Sequence, residues 1–478
     1  MFVDGDWTDS ESGERFEATS PSSGDTIGSL PKGSRADAGR AIAAANRAWE
    51  QWGRRSAFER SGAMRRVAES LERHREELAH VLALDQGKPV RAEALDEVEE
   101  LIVYFHMASE DTVRLDGALP PSVDANKRVL LSRVPRGVVG VISPWNWPYT
   151  MPAEILAPAL AAGNAVVWNP ASSTSVCAVA LMEAIAEADL PPGVLNLVTG
   201  PGRVVGDEIA GSSGTHAIGF IGSIGAGLAI AQRAAGKELL LEMGGNGPLV
   251  VLDDADLDAA VKATLTACFL NAGQSCTAGE LILVQRAVHD AYLERLKIAV
   301  EKEIRLGEPF DETTTMGPLN NADVAEKTES HLAEAKSRGA NVVSGGERAA
   351  GLGSDLYFAP TVVDGVTEEM AIAREETFGP VAPVSVIGDE TDAVRIVNSS
   401  EYGLLTGVFT NDLARGLRYA EAVRCGWVNI NEGTNYWESH LPFGGRSGSK
   451  SGVGRVGGRY SMERLTEWKT VVVNLGDD

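Results

Sequence analysis

Residues 137–168 read GVVGVISPWNWPYTMPAEILAPALAAGNAVVW, and this stretch decides the fold. It opens on an apolar run at 137–143 and passes a proline-bounded turn. A helix-like segment follows over 151–162, closed by Gly163, and a second apolar run occupies 165–168. Two short apolar runs joined by one helix make a βαβ unit, with the right-handed crossover that strand twist imposes. The same grammar continues with a helix at about 173–187, a Pro-Pro-Gly turn at 191–193 and a strand at 194–198. After Gly200-Pro201-Gly202 come a short helix, a strand at 217–221 and a helix from about Gly225. This is a Rossmann-like half, in which ligands sit at the carboxyl ends of the strands.

Working outward, a second alternating stretch begins near residue 247. It comprises a strand at 249–252, a helix at 255–271, a strand at 281–284, a helix through 290–304, and strands near 341–343, 381–387 and 427–430. Upstream, 36–52 and 56–84 read as helices. In the second, Met64, Val67, Leu71, Leu78 and Leu82 share a face, Ser56 with Glu59 makes a capping box, and Gly87 and Pro89 close it. Segments 114–136 and 462–478 are strand-like and fit neither alternation; unpaired strands invite pairing, often with another subunit.

At 478 residues the chain exceeds a single core. Lys plus Arg number 43 against 67 Asp plus Glu, a net charge of −24 that argues against nucleic acid and anionic membranes as partners. The opening MFVDGDWTDS has no basic stretch leading into an apolar one, so no secretory signal is expected. No apolar run reaches the ~18 residues of a membrane span. The four cysteines, Cys177, Cys268, Cys276 and Cys425, lack paired spacing. Disulfides and metal sites are therefore not expected, and a reducing, cytoplasmic compartment is.

Three stretches carry chemistry. NAGQSCT at 271–277 places Cys276 among small residues just after a helix, a position suited to a nucleophilic thiol and also to a buried structural cysteine. LLLEMGG at 239–245 ends an apolar strand on Glu242, which reads either as a proton acceptor at a strand mouth or as a solvated strand-end acid. PWNWP at 144–148 sets Asn146 at the carboxyl end of the first strand. Its amide could stabilise an oxyanion; the alternative is a turn with aromatic packing.

Together these stretches resemble the aldehyde dehydrogenase superfamily, in its order and with its 34-residue separation of Glu242 from Cys276. Gly200-Pro201-Gly202 with Gly206, FIGS at 220–223, EETFGP at 375–380 and LPFGG at 441–445 extend the resemblance from about residue 3 to the C-terminus. It implies an α/β fold with a Rossmann-like cofactor domain (1–113 and 137–244), a second α/β catalytic domain (245–446) and a β-strand oligomerisation arm (114–136 and 462–478). It also implies a homodimer or homotetramer. Cys276 is then the nucleophile that forms a thiohemiacetal, and Asn146 with the Cys276 N–H holds the oxyanion. Glu242 activates the water that hydrolyses the thioester.

The same resemblance places NAD or NADP against Ile142, Ser143, Trp145, Asn169, Ser172, Gly202, Gly206, Gly222, Ser223, Glu376 and Phe378. It places the aldehyde in a funnel of Trp147, Tyr149, Glu154, Ser275, Thr277, Tyr436, Trp437 and Phe443. The chain departs from the family at several positions. Asn169 and Ser172 stand where a lysine and an acid usually hold the adenosine ribose; losing both has opposed effects on NADP, and NAD keeps a slight lead. Ile155 and Asn246 replace frequent lysines, Glu154 stands where Trp is common, and the 444–452 loop is about two residues longer than usual. If Glu154 or Glu438 lines the funnel, a cationic aldehyde fits; without them the aromatic residues suit an apolar one. Two further readings stay open, a CoA-acylating semialdehyde dehydrogenase and a catalytically silent binding protein on the same scaffold.

Overall fold

The protein is described here by a computed structural model that covers residues 1–476; residues 477 and 478, the end of the C-terminal strand-like segment, lie outside the described residues. Strands Val138–Ile142, Ala165–Asn169, Leu195–Leu197, Ala217–Gly222 and Glu238–Met243 form the parallel centre of an eight-stranded sheet. Antiparallel strands close it on both sides, Gly452–Val453 beside Glu238–Met243 and Phe2–Val3 beside Leu195–Leu197. The chain runs outward from Val138–Ile142 in one direction, then returns to place Ala217–Gly222 on its other side. Strand order reverses there, and the crevice at such a switch point is where parallel sheets bind ligands.

Every residue of Val138–Ile142 is buried, as a strand covered on both faces requires. Helix Thr150–Ala161, the one that follows it, is buried along all twelve residues. The second sheet has seven strands in the order Asn341–Ser344, Thr361–Asp364, Val381–Ile387, Leu281–Gln285, Pro248–Val251, Leu405–Phe409 and Trp427–Ile430. All but the first pair in parallel. Each sheet has its own large apolar cluster, with Cys276 packed against the first and Trp145 against the second.

Lys127–Pro135 and Thr466–Asn474 pair with each other as a separate antiparallel ribbon of nine residue pairs. The two strands that fitted neither alternation are thus partners across more than 300 residues of chain. One expectation is corrected: 56–84 is not one helix but two, Ala57–Arg73 and Arg75–Asp85, broken at His74. The His74 ring sits between Glu77 (3.0 Å) and Glu187 (2.9 Å), and its φ/ψ of −94°/9° leaves the helical region. The capping box itself is present, with Glu59 N–H donating to Ser56 Oγ and Ser56 N–H to Glu59 Oε2.

Candidate active site

A cleft of about 1010 Å³ opens between the carboxyl ends of the first sheet and the loop that follows helix Leu257–Phe269. Its walls bring together Cys276, Glu242 and Asn146, three residues from segments far apart in sequence. The loop that holds Cys276 is strained. Asn271 and Ala272 take φ of 51° and 54°, and Gly273 follows at 76°. Consecutive non-glycine residues in this region cost free energy and persist only where neighbours over-determine them.

Those neighbours are visible. Asn271 N–H donates to Glu93 Oε1 (2.9 Å), Gln86 Nε2 to Asn271 Oδ1 (2.9 Å), and Asn271 Nδ2 to the Asn146 carbonyl (2.8 Å). Asn320 N–H donates to Gln274 Oε1 (2.8 Å). A Cβ on Gly273 would collide with the Gly379 carbonyl, and one on Gly245 with the Cys276 carbonyl. The paired glycines after Glu242 therefore let the strand end pass against the thiol loop.

Asn146 Nδ2 donates to the Gln274 carbonyl at 3.0 Å, which fixes the carboxamide and commits one of its two amide hydrogens. Neither carboxyl oxygen of Glu242 has a hydrogen-bond partner. Burial pushes the Glu242 carboxyl well above the usual carboxylate range, and Glu154 adds to the effect. Burial likewise pushes the Cys276 thiol well up, reinforced by Glu376, Glu242 and Glu154, while its own backbone N–H opposes. Burial thus disfavours the charged form of both groups. Ser275 and Thr277 flank the thiol with their hydroxyls 2.8 Å apart.

On the other side of the cysteine loop, Ile142, Ser143, Trp145, Asn169, Gly202, Gly222, Ser223, Glu376 and Phe378 all line the cleft. Ser223 caps helix Ile224–Arg233, accepting from Ala226 N–H, so the positive end of that helix faces the crevice. Asn169 Nδ2 is spent on the Val198 and Gly200 carbonyls, and its Oδ1 is buried without a partner. Trp145 and Phe378 meet edge to face at 5.6 Å between ring centres. Glu376 Oε1 accepts from Gly245 N–H at 3.0 Å, and burial raises its carboxyl to about 7.

Some expected positions lie elsewhere. Ser172 starts a short turn outside the wall, which is formed there by Asn169, Pro170 and Ala171. Gly206 sits behind the wall, packed near Asn169 and Ile142. Tyr149 does not face the funnel. It is fully buried, and its hydroxyl donates to the Leu78 carbonyl at 3.1 Å. Tyr436 is exposed and donates to Glu438 Oε1 at 2.8 Å, so this pair stands outside the cleft. Trp147, Glu154, Trp437 and Phe443 do line it.

Several lining or supporting residues escaped sequence reading. Helix Leu95–Asp111 supplies Glu97 and Glu100 to the wall, and Tyr104 behind it donates to Glu154 Oε1 at 2.8 Å. Lys88, fully buried, pairs with Glu97 and lies 3.2 Å from the centre of the Trp147 ring. Glu280 accepts from the backbone N–H groups of Thr377 and Phe378. An acid directly before the buried strand Leu281–Gln285 was the available signal for Glu280. Nothing local marks Lys88.

A thiol, a carboxyl and a carboxamide thus share one cleft at the carboxyl end of a parallel sheet in an α/β protein. The aldehyde dehydrogenase family model matches residues 7–471, and the chain belongs to that family of oxidoreductases acting on aldehydes. It is 37% identical to the glutarate-semialdehyde dehydrogenase of Pseudomonas putida, over 99% of this chain and 97% of that one. It is 38% identical to the NADP(+) succinate-semialdehyde dehydrogenase of Escherichia coli, again over 99% and 97%. Among solved structures, the betaine aldehyde dehydrogenase of Staphylococcus aureus in complex with NAD+ matches with a TM-score of 0.96 at 32% identity, covering 100% of this chain and 95% of that one. The family resemblance and the α/β fold expected from it both hold.

Proposed function

We propose that this chain oxidises an aldehyde to its carboxylic acid with NAD or NADP, through a covalent adduct on Cys276. The observation that carries this reading is the convergence of Cys276, Glu242 and Asn146 on one cleft that also holds the capped helix at Ser223. The residues present fit a dinucleotide. The orphaned Asn169 Oδ1 can accept from a ribose hydroxyl, the Ser223 helix end suits a pyrophosphate, and Trp145 with Phe378 offers an apolar wall. When bound, the nicotinamide supplies a hydride acceptor.

Cys276 sulfur attacks the carbonyl carbon and forms a thiohemiacetal. The free amide hydrogen of Asn146 and the Cys276 N–H hold the oxygen as charge develops on it. Loss of hydride from that carbon leaves a thioester. Glu242, once ionised, takes a proton from the attacking water, and the acid leaves as Cys276 regains its thiol. Because burial and neighbouring carboxylates raise the pKa of both Cys276 and Glu242, the ionised, competent state gains population as pH rises. A catalytic carboxyl at this position favours hydrolysis over acyl transfer to CoA.

Among the described residues no helix is long and apolar enough to cross a membrane, and all four cysteines are unpaired, which suits a reducing, cytoplasmic setting. Titrating the protein with NAD and NADP, then following an aldehyde panel at the reduced nicotinamide absorbance, tests the reading. At least one cofactor binds, and Cys276→Ala abolishes turnover while leaving that binding intact. Binding of neither cofactor would overturn it.

A further inference from the structure

Resting on the aldehyde-oxidising reading above, we propose that the substrate end of the cleft selects aldehydes bearing a positive charge, with Glu154 and Glu100 receiving an ammonium group. Glu154 enters the wall from the fully buried helix Thr150–Ala161, and Glu100 from helix Leu95–Asp111, which packs against it. The Tyr104 hydroxyl fixes one oxygen of Glu154 at 2.8 Å. Glu93 lines the same wall, and its Oε2 is buried without a partner.

Among the described residues none of Glu93, Glu100, Glu154 and Glu242 forms an ion pair. The cations that line the cleft are placed elsewhere. Arg233 pairs with Asp207, Arg203 follows Gly202 on the same side, and Lys327 acts on Glu376 and Glu280. Lys88, the buried cation near the acids, is committed to Glu97 and to the ring of Trp147. Burial is the main cause that raises Glu93 and Glu100 to about 7 and Glu154 to about 8; Lys88 opposes it at Glu93 and Glu100, and at Glu154 only the Tyr104 hydrogen bond does.

A bound ammonium would supply that counter-charge in a site shielded from water, where such attraction is strongest. Trp437 and Phe443, whose rings lie 5.2 Å apart, also line the cleft, and aromatic rings attract cations. The opposite holds for an aldehyde ending in a carboxylate. It would place a like charge among these acids, where the cation beside them, Lys88, is already paired with Glu97. The semialdehydes named in the relatives, of glutarate and succinate, are of that kind, and the proposal sets this chain's substrate apart from them.

The test uses the full-length protein, saturating cofactor and three aldehydes of one chain length, ending in trimethylammonium, methyl or carboxylate. Expected kcat/KM falls in that order, by about tenfold per step. Glu154→Gln, and separately Glu100→Gln, should shrink the ammonium-to-methyl ratio by about tenfold. The ratio is internal to each preparation, so partial loss of folded enzyme cancels. Equal rates across the set, preference for the carboxylate, or an unchanged ratio in both variants would overturn the inference while leaving the oxidation reading in place. Failure of all three aldehydes would remove the oxidation reading instead. Calorimetry with the matching trimethylammonium and methyl alcohols then decides: Glu154-dependent preference for the cation supports the site, and its absence sinks it.

Discussion

Replacing Glu242 with Gln separates the two halves of the reaction. The carboxyl is buried and neither oxygen is bonded to another protein group, so the isosteric amide fits the same space without breaking a contact. What disappears is the proton acceptor for the hydrolytic water. General-base catalysis contributes about a hundred- to ten-thousandfold, and steady-state turnover should fall by that factor. Stopped-flow absorbance should show a burst of about one reduced nicotinamide per site, because the thioester accumulates. Thermal stability offers an independent readout. The folded carboxyl is held well above its ordinary 4.5, so the stability it lends is complete below that value and erodes as pH rises towards the folded pKa. Gln does not titrate, so the Tm of Glu242→Gln should gain on the parent as pH moves from 5 to 8. Normal turnover, or slow turnover with no burst, would refute the assignment of Glu242 to hydrolysis.

Asn146→Ala removes the carboxamide that Gln274 holds, and with it one oxyanion donor; kcat should drop by about a hundred- to a thousandfold with cofactor affinity unchanged, and an unchanged hydride-transfer rate would count against the role. The ribbon of Lys127–Pro135 and Thr466–Asn474 exposes Trp468, Val471, Val472 and Val473, with Val472 at 56%, and we propose it as an arm that docks on another copy. Val472→Glu should shift sedimentation from a dimer or tetramer towards the monomer by raising the dissociation constant more than about a hundredfold; a monomeric parent protein would end that assignment.

The parts of this molecule that were legible in its sequence are those where local chemistry contradicts local pattern. Glu242 ends an apolar strand, Asn146 sits between two tryptophans, and Cys276 follows a helix among small residues. Each alone also allowed an ordinary structural reading, and it was the resemblance of the three together to one family that favoured the cleft; the parallel strands that deliver them announce themselves as fully apolar runs. The misreadings have the reverse cause. Tyr149 shares its segment with Trp147, yet two positions along, at the start of a helix, the side chain turns to another face, where the Leu78 carbonyl rather than substrate receives it. The break at His74 was hidden because Leu71 and Leu78 continue one apolar stripe across it, and the residue that stabilises the break, Glu187, lies 113 positions away. The residues that hold the thiol loop in its left-handed backbone, Gln86, Glu93 and Asn320, are equally remote, and nothing around them in sequence distinguishes a buried hydrogen-bonding role from an exposed one. Glu100 belongs to this last group, whereas Glu154 was expected in the funnel from the family resemblance. A carboxylate on a helix reads as solvent-facing until the opposing helix is known, and the meeting of Glu100 with Glu154 in one wall, neither in an ion pair among the described residues, is what the proposal about the charge of the substrate rests on.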